Sequence, residues 1–112
     1  MWYLVLSRSI PGSKEGIKAH LEEHKLWLDQ QHRTGRMLFS GPTSDGSYGI
    51  YIILASGLEE AKAIAAEDSH HSRGLRSMEV FEWDPRRAFR IDQFSIAAVE
   101  KLARGEDVTK SV

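Results

Sequence analysis

Two segments of the sequence carry apolar side chains at every position, and both are rich in residues that favour strands. Residues 2–6 read Trp-Tyr-Leu-Val-Leu, and residues 50–54 read Ile-Tyr-Ile-Ile-Leu. Because successive side chains of a strand point to opposite faces, a sheet built from these segments is apolar on both faces. Such a sheet must be covered on both sides, and this requirement constrains the fold more than any other feature of the chain.

The order of predicted elements is β-α-β-β-α-β. Strands are predicted over residues 2–10, 37–40, 47–55 and 76–83, with helices over 13–35 and from 58 toward 68. Pro11-Gly12, Gly35 and Asp84-Pro85 supply turn or stop signals between them. This order is typical of an α+β ferredoxin-like fold. We expect one such domain over residues 1–85 and a C-terminal extension over 86–112, with a possible helix at 94–103.

The two helices of this topology cover the same face of the sheet, so the second apolar face needs another partner. A second copy of the sheet supplies it most simply, and we therefore expect a homodimer packed sheet to sheet. The alternative is that the C-terminal segment 86–112 folds over that face.

Composition excludes several classes of function. The 112 residues include 15 basic and 16 acidic side chains, for a net charge of −1, which does not favour nucleic-acid binding. No stretch approaches the ~20 apolar residues of a membrane span, and the apolar start is too short for a signal peptide. The absence of cysteine fits a reducing cytoplasm. We therefore expect a cytoplasmic protein without nucleic-acid or membrane partners. No glycine-rich nucleotide motif is present, and no cofactor is predicted.

A titratable ring lies in the middle of the first helix's apolar stripe. On a helical wheel Leu21 and Leu28 fall within roughly 40° of Ile17, and His24 lies about 20° to the other side. Asp68 continues the apolar stripe of the second helix in the same way. A buried carboxylate and a buried imidazole are costly apart and far less costly as a pair. The sequence therefore predicts a His24–Asp68 dyad and, with it, a small active or binding site.

The segment 24–42, which contains His24, Gly35 and Ser40-Gly41-Pro42, resembles the YCII family of small dimeric α+β barrel proteins. A second match is Ala65-Ala-Glu-Asp68, followed by Gly74-Leu75 and a strand. Together the matches cover about residues 1 to 90. The resemblance implies the dimeric α+β barrel fold.

The resemblance also implies a catalytic dyad of His24 and Asp68 in a pocket beside the turn 40–42. One departure concerns the proline and aromatic residue that usually follow the aspartate, because here they are Ser69 and His70. The wall of the pocket, and with it the substrate, is therefore expected to differ. The family includes a dehydrochlorinase that acts on a chlorinated hydroxyquinol.

These observations lead to the hypothesis of a small lyase or isomerase that moves a proton on a cyclic or aromatic-derived compound. His24 would be the general base, and Asp68 would orient it. The candidate substrate-binding residues are Ser40, Gly41, Pro42, His70 and Trp27. Histidine spacing alone fixes no third ligand, so no metal site is predicted. Two alternatives are open: a non-catalytic module that binds a small molecule in the same pocket, and a dimeric accessory protein whose dyad is purely structural.

Overall fold

The computed structural model describes residues 1–87 and Gly105 and has helices packed on one face of an antiparallel sheet. Its elements are β1 Trp2–Ser9, α1 Lys14–Ala19, α2 Leu21–Arg33, β2 Met37–Pro42, β3 Gly49–Leu54, α3 Leu58–Ala66, α4 Ser69–Ser72 and β4 Arg76–Trp83. The strand order is β2-β3-β1-β4, and each neighbouring pair is antiparallel. The predicted α+β ferredoxin-like fold is confirmed. The helix predicted at 94–103 lies outside the described residues.

The single helix predicted over 13–35 is two helices, and that prediction was wrong in this respect. The break is at His20, where φ is −108° and ψ is 18°. Tertiary contacts hold α1 in this position: the Ile17 carbonyl accepts a hydrogen bond of 2.9 Å from the His70 ring. Gly16 also lies so close to the Leu75 side chain that an added Cβ would come within 2.5 Å of it. Periodicity along one helix carries no information about these contacts.

The second predicted helix also ends earlier than expected. Helix α3 ends at Ala66, and Asp68 is the N-cap of the short helix α4 rather than the last turn of α3. The Asp68 carboxylate accepts the backbone N–H of His70, which is the usual contact of an aspartate N-cap. Asp68 is therefore held at the start of α4, on the face of the sheet that carries the helices.

The core lies between the helices and one face of the sheet. Its strand residues alternate as the sequence predicts, and in register Val5 lies opposite Tyr51 while Tyr3 lies opposite Ile53. The buried core consists of Tyr3, Val5, Trp27, Met37, Tyr51, Ile53, Ala55, Ala61, Ile64 and Ala65. This arrangement places Tyr51, whose side chain ends in a hydroxyl, directly under the helices.

The opposite face of the sheet carries large apolar side chains that remain exposed. Phe39, Phe81 and Trp83 are 68%, 46% and 40% exposed, respectively. Phe81 lies opposite Leu4, and Phe39 lies opposite Ile52, so the exposed rings continue an apolar surface across strands. Among the described helices, none is long and apolar enough to cross a membrane.

A left-handed glycine ends α2, as the sequence predicts. Gly35 has φ +80°, a conformation that costs other residues roughly 1–2 kcal/mol. We expect Gly35→Ala to lower the free energy of unfolding by about that amount, measured by urea denaturation. Gly41→Ala is the control, because an added Cβ there meets nothing within 4 Å. An alanine at position 35 that leaves stability unchanged would contradict the assignment.

Candidate active site

The side chains of His24 and Asp68 are in contact in the structure. His24, in the first half of α2, lies with its Nδ1 atom 2.8 Å from Oδ2 of Asp68, at the start of α4. The Asp68 side chain is completely buried, whereas 18% of the His24 side chain is exposed. The hydrogen bond therefore connects the buried Asp68 carboxylate to the partly exposed imidazole of His24.

Tyr51 is a third member of this site, and the sequence analysis did not single it out. Its hydroxyl donates a hydrogen bond to the same Asp68 oxygen that accepts from His24. Burial, followed by the negative charge of Asp68, raises the pKa of Tyr51, so the phenol keeps its proton. A signal was available: Tyr51 alternates with Ile53 onto the helix face, where a buried hydroxyl needs a partner.

Asp68 remains ionised although it is buried. Burial by itself raises the pKa of Asp68, but hydrogen bonds from His24, Tyr51 and the His70 backbone outweigh burial. They lower the pKa from its ordinary value of 3.8 to about 2. An ionised carboxylate only accepts, so His24 donates through Nδ1–H, and in the neutral ring the lone pair is left on Nε2.

His70 stacks on the dyad from the side away from solvent. Its ring is nearly parallel to that of His24, with centroids 4.5 Å apart and planes inclined by 16°. His70 is buried, and its Nε2 donates to the Ile17 carbonyl. Burial, together with the nearby His24, lowers the pKa of His70 and keeps this ring neutral. His70 thus stands at the position where the family resemblance leads one to expect an aromatic side chain.

His24, Asp68 and His70 are also close enough to be considered as metal ligands. One nitrogen or oxygen atom from each lies within 4.8 Å of the others. The lone pairs of an imidazole lie in its ring plane, and two stacked, nearly parallel rings do not direct them to one point. The His24 nitrogen that faces Asp68 and the His70 Nε2 are already used in hydrogen bonds. The observed contacts therefore favour a hydrogen-bonded proton-transfer site.

A cavity of about 360 Å³ adjoins the dyad. Its walls are Ser7, Leu21, His24, Lys25, Leu28, Gly41, Pro42, Gly46, Tyr48, Gly49, Tyr51 and Arg76. Its volume falls within the usual range for small-molecule sites. His24 and Tyr51 both line the cavity, so the dyad is next to a space of the right size for a small ring compound.

The structure brings only part of the predicted substrate-binding set to this cavity. Gly41 and Pro42 line it. The Ser40 hydroxyl instead lies 2.7 Å from Nε2 of the exposed His32, and Ser40 is outside the lining. Trp27 is part of the core, where its ring centroid lies 5.7 Å from that of Tyr51. His70 lies behind His24 rather than in the cavity wall.

A second polar group lies at the floor of the cavity, in residues that the sequence analysis did not identify. Arg76 Nε donates to the Ser7 hydroxyl oxygen at 2.7 Å, and Nε2 of His71 lies 2.7 Å from the same oxygen. His71 Nδ1 donates to the Ala65 carbonyl. Burial lowers the pKa of His71 and keeps it neutral, so the Ser7 hydroxyl donates to its Nε2. These contacts connect β1 to β4 and to α4 beside the dyad.

The lowered pKa of Asp68 makes stability depend on pH. The folded pKa is about 2, below the ordinary 3.8, so the contribution is complete above pH 4 and is lost as pH falls through 2. We expect Asp68→Asn to lower the free energy of unfolding by about 2 kcal/mol at pH 7, with the difference from wild type shrinking toward pH 2. Urea denaturation from pH 7 to pH 2 measures this.

Asp45 provides the matched control. Hydrogen bonds from Ser47 and Thr43 also lower the pKa of Asp45 to about 2, but this carboxylate is in an exposed turn. Water screens its interactions, so Asp45→Asn should change stability much less. Equal effects of the two substitutions would contradict a special role for the buried carboxylate.

Comparison with known proteins supports the fold and the family. The YCII-related domain model matches residues 1–84. YjpA of Bacillus subtilis (strain 168), an uncharacterized protein, is 34% identical over 64 residues, which are 57% of this chain and 75% of YjpA.

A solved structure shows the same fold. It is 5-chloro-2-hydroxyhydroquinone dehydrochlorinase (TftG) from Burkholderia phenoliruptrix AC1100, in complex with 2,5-dihydroxybenzoquinone. The two structures superpose with a TM-score of 0.64 and 20% sequence identity, over 75% of this chain and 94% of the other. The likeness shows that the two chains share the α+β fold, and the matching family model confirms the resemblance read from the sequence. This chain belongs to the YCII-related domain family.

Proposed function

We propose that the protein is a cofactor-independent enzyme of lyase or isomerase type that acts on a small cyclic or aromatic-derived compound. The observation that carries the proposal is the 2.8 Å contact between His24 and an ionised, buried Asp68, at the wall of a cavity large enough for a small ring compound. A base, a group that fixes its tautomer and a place for the substrate are thereby side by side.

In the proposed reaction, His24 Nε2 takes a proton from a carbon of the substrate. The electron pair of the broken C–H bond forms a new double bond in the ring. In an elimination, a leaving group departs with its bonding electrons, and His24 then returns its proton to solvent. In an isomerisation, an adjacent double bond opens as the new one forms, and its electron pair takes the proton back from His24 at another carbon. Asp68 stabilises the imidazolium formed in either case, and the neutral ring of His70 adds no second positive charge.

The remaining predicted residues take more specific roles in this proposal. Gly41 and Pro42 form the substrate contact, since both line the cavity. Ser40 joins them only when its hydroxyl leaves His32. Trp27 and His70 act as positioning residues, because they contact Tyr51 and His24 rather than the cavity.

The structural neighbour supports the choice of reaction class. TftG is a dehydrochlorinase, and its structure holds a quinone. An elimination on a ring compound is therefore one of the reactions found on this fold, and a general base is what such a step requires. For the present chain, the ring compound and its leaving group form part of the proposal.

A histidine substitution tests the proposed base. We expect His24→Gln to lower the rate about 10²–10⁴-fold, the usual contribution of a general base, with only a modest change in stability because the glutamine amide can still donate to Asp68. Two assays apply: chloride release from 5-chloro-2-hydroxyhydroquinone, and deuterium incorporation from D₂O into a panel of cyclic ketones and lactones, followed by NMR.

His20→Gln is the matched control for this assay. His20 is a turn of helix away and contacts Glu23 instead of Asp68, so its loss should leave the rate unchanged. A His24→Gln enzyme as active as wild type would refute the proposed base. Wild-type protein that binds ring compounds and converts none of them would favour a non-catalytic binding module.

We also propose that two copies of the chain pack through the sheet face opposite the helices. Phe39, Phe81 and Trp83 leave a large apolar area exposed on that face, and burying it against an identical face is favourable. Back-to-back packing leaves the helices and the dyad on the outside of the dimer. We place this dimer in the cytoplasm, since the cysteine-free chain needs no oxidising compartment.

A charge in place of an exposed ring on this face tests the dimer. Wild-type protein is expected to have twice the chain mass of 12.7 kDa in light scattering, and Phe81→Glu is expected to have the mass of one chain, because a carboxylate would be buried between the sheets. Leu26→Glu, at an exposed apolar position on α2, should remain dimeric. A monomeric wild type would refute the dimer and favour the segment 86–112 as the cover.

A further inference from the structure

We infer that the substrate is an organic anion, a ring compound with a carboxylate that binds to Arg76. The inference rests on the proposed function in so far as the bound compound is turned over. The evidence for it is the charge of the cavity and the unused donors of one guanidinium.

The cavity wall is positively charged. Arg76 and Lys25 line it together with His24, and no acidic side chain occurs among the described lining residues. The carboxylate of the dyad, Asp68, is fully buried, and both of its oxygens accept hydrogen bonds within the protein. Lys25 is exposed and lies 3.8 Å from Glu22, so Arg76 is the cation of the wall that is left for a negatively charged ligand.

Arg76 has no carboxylate partner among the described residues. Its guanidinium donates from Nε to the Ser7 hydroxyl, from one terminal nitrogen to the Ser7 carbonyl and from the other to Ser9. An arginine side chain has five N–H donors, so one remains on each terminal nitrogen. Two donors on a planar fork match the two oxygens of a carboxylate. A half-buried guanidinium held by neutral groups alone is consistent with a site that receives its counter-ion from a ligand.

The position of Arg76 also fits the dyad. The side chain starts on β4 and crosses β1, so that a terminal nitrogen lies 3.7 Å from the point where a Cβ of Gly49 would be. Gly49 is two residues before Tyr51 on β3, a separation of roughly 7 Å along a strand. The distance along the cavity floor from the Arg76 guanidinium to the Tyr51 ring is thus about the width of one ring. His24 lies next to Tyr51. A carboxylate on Arg76 would place the far side of a bound ring near the base.

Binding of small ring acids tests this without any turnover. We expect benzoate and 2-hydroxybenzoate to shift the amide NMR signals of Ser7, Gly49 and Arg76, with an affinity that falls as salt is added. Their uncharged amides, benzamide and 2-hydroxybenzamide, should bind about tenfold more weakly or worse. Equal affinity of acid and amide for the wild-type protein, or no binding of either acid, would overturn the inference.

Substitutions of Arg76 test whether its positive charge binds the acid. Arg76→Gln should remove the preference for acid over amide, and Arg76→Lys should keep part of it, because the charge remains and the fork is lost. Arg73→Gln is the control, since Arg73 is exposed and pairs with Glu23 outside the cavity wall. An Arg76→Gln protein that still prefers benzoate would also overturn the inference.

The test separates this inference from the proposed function. His24→Gln should keep the preference for benzoate over benzamide, because that preference depends on the charge of Arg76 and not on the base. Acid-selective binding without conversion of any ring compound would support the anion site and refute the enzyme. Turnover of neutral ring compounds, with no preference for benzoate over benzamide, would support the enzyme and refute the anion site.

Discussion

The buried carboxylate of Asp68 is the constraint on which the rest of this site depends. An unpaired charge in the interior costs several kcal/mol, so the fold must bring donors to it. Three parts of the chain supply them: His24 from α2, Tyr51 from β3 and the His70 backbone from α4. The contacts that hold α2 and α4 on the sheet are therefore the same contacts that place His24 against Asp68.

The contact between His24 and Asp68 was predictable in part, because helical periodicity turns His24 inward from α2. Asp68 lies beyond the end of α3, as the N-cap of α4, so the apolar stripe of the second helix did not describe its position. A buried histidine and a buried aspartate have few ways to be satisfied other than by one another. The order of strands and helices was predictable from turn signals, since those signals are local. The break at His20 was not, because it depends on contacts of Ile17 and Gly16 with residues some 50 or more positions away. Local patterns do not encode such contacts.

The anion site shows a different limit of sequence reasoning. Arg76 and Ser7 are separated by 69 positions and meet because β1 and β4 pair antiparallel. An arginine at the start of a strand has the sequence signature of an ordinary solvated residue. The register of the sheet places the Arg76 side chain across β1 and close to Gly49. Because glycine has no side chain, there is room for the guanidinium there. Tyr51 differs, because strand alternation already placed its hydroxyl in the core.

The apolar walls of the cavity strengthen the electrostatic interactions of His24, Asp68 and Arg76. Leu21, Leu28 and Pro42 are apolar residues in the wall that also holds His24 and Arg76. In a medium of low dielectric constant, the attraction between His24 and Asp68 grows as a proton arrives, and so does the attraction of Arg76 for an anion. A substrate that fills the cavity would strengthen both by displacing water. In the proposed reaction the lining is thus part of the chemistry, and the position of Arg76 favours a ring compound with its charge at one end.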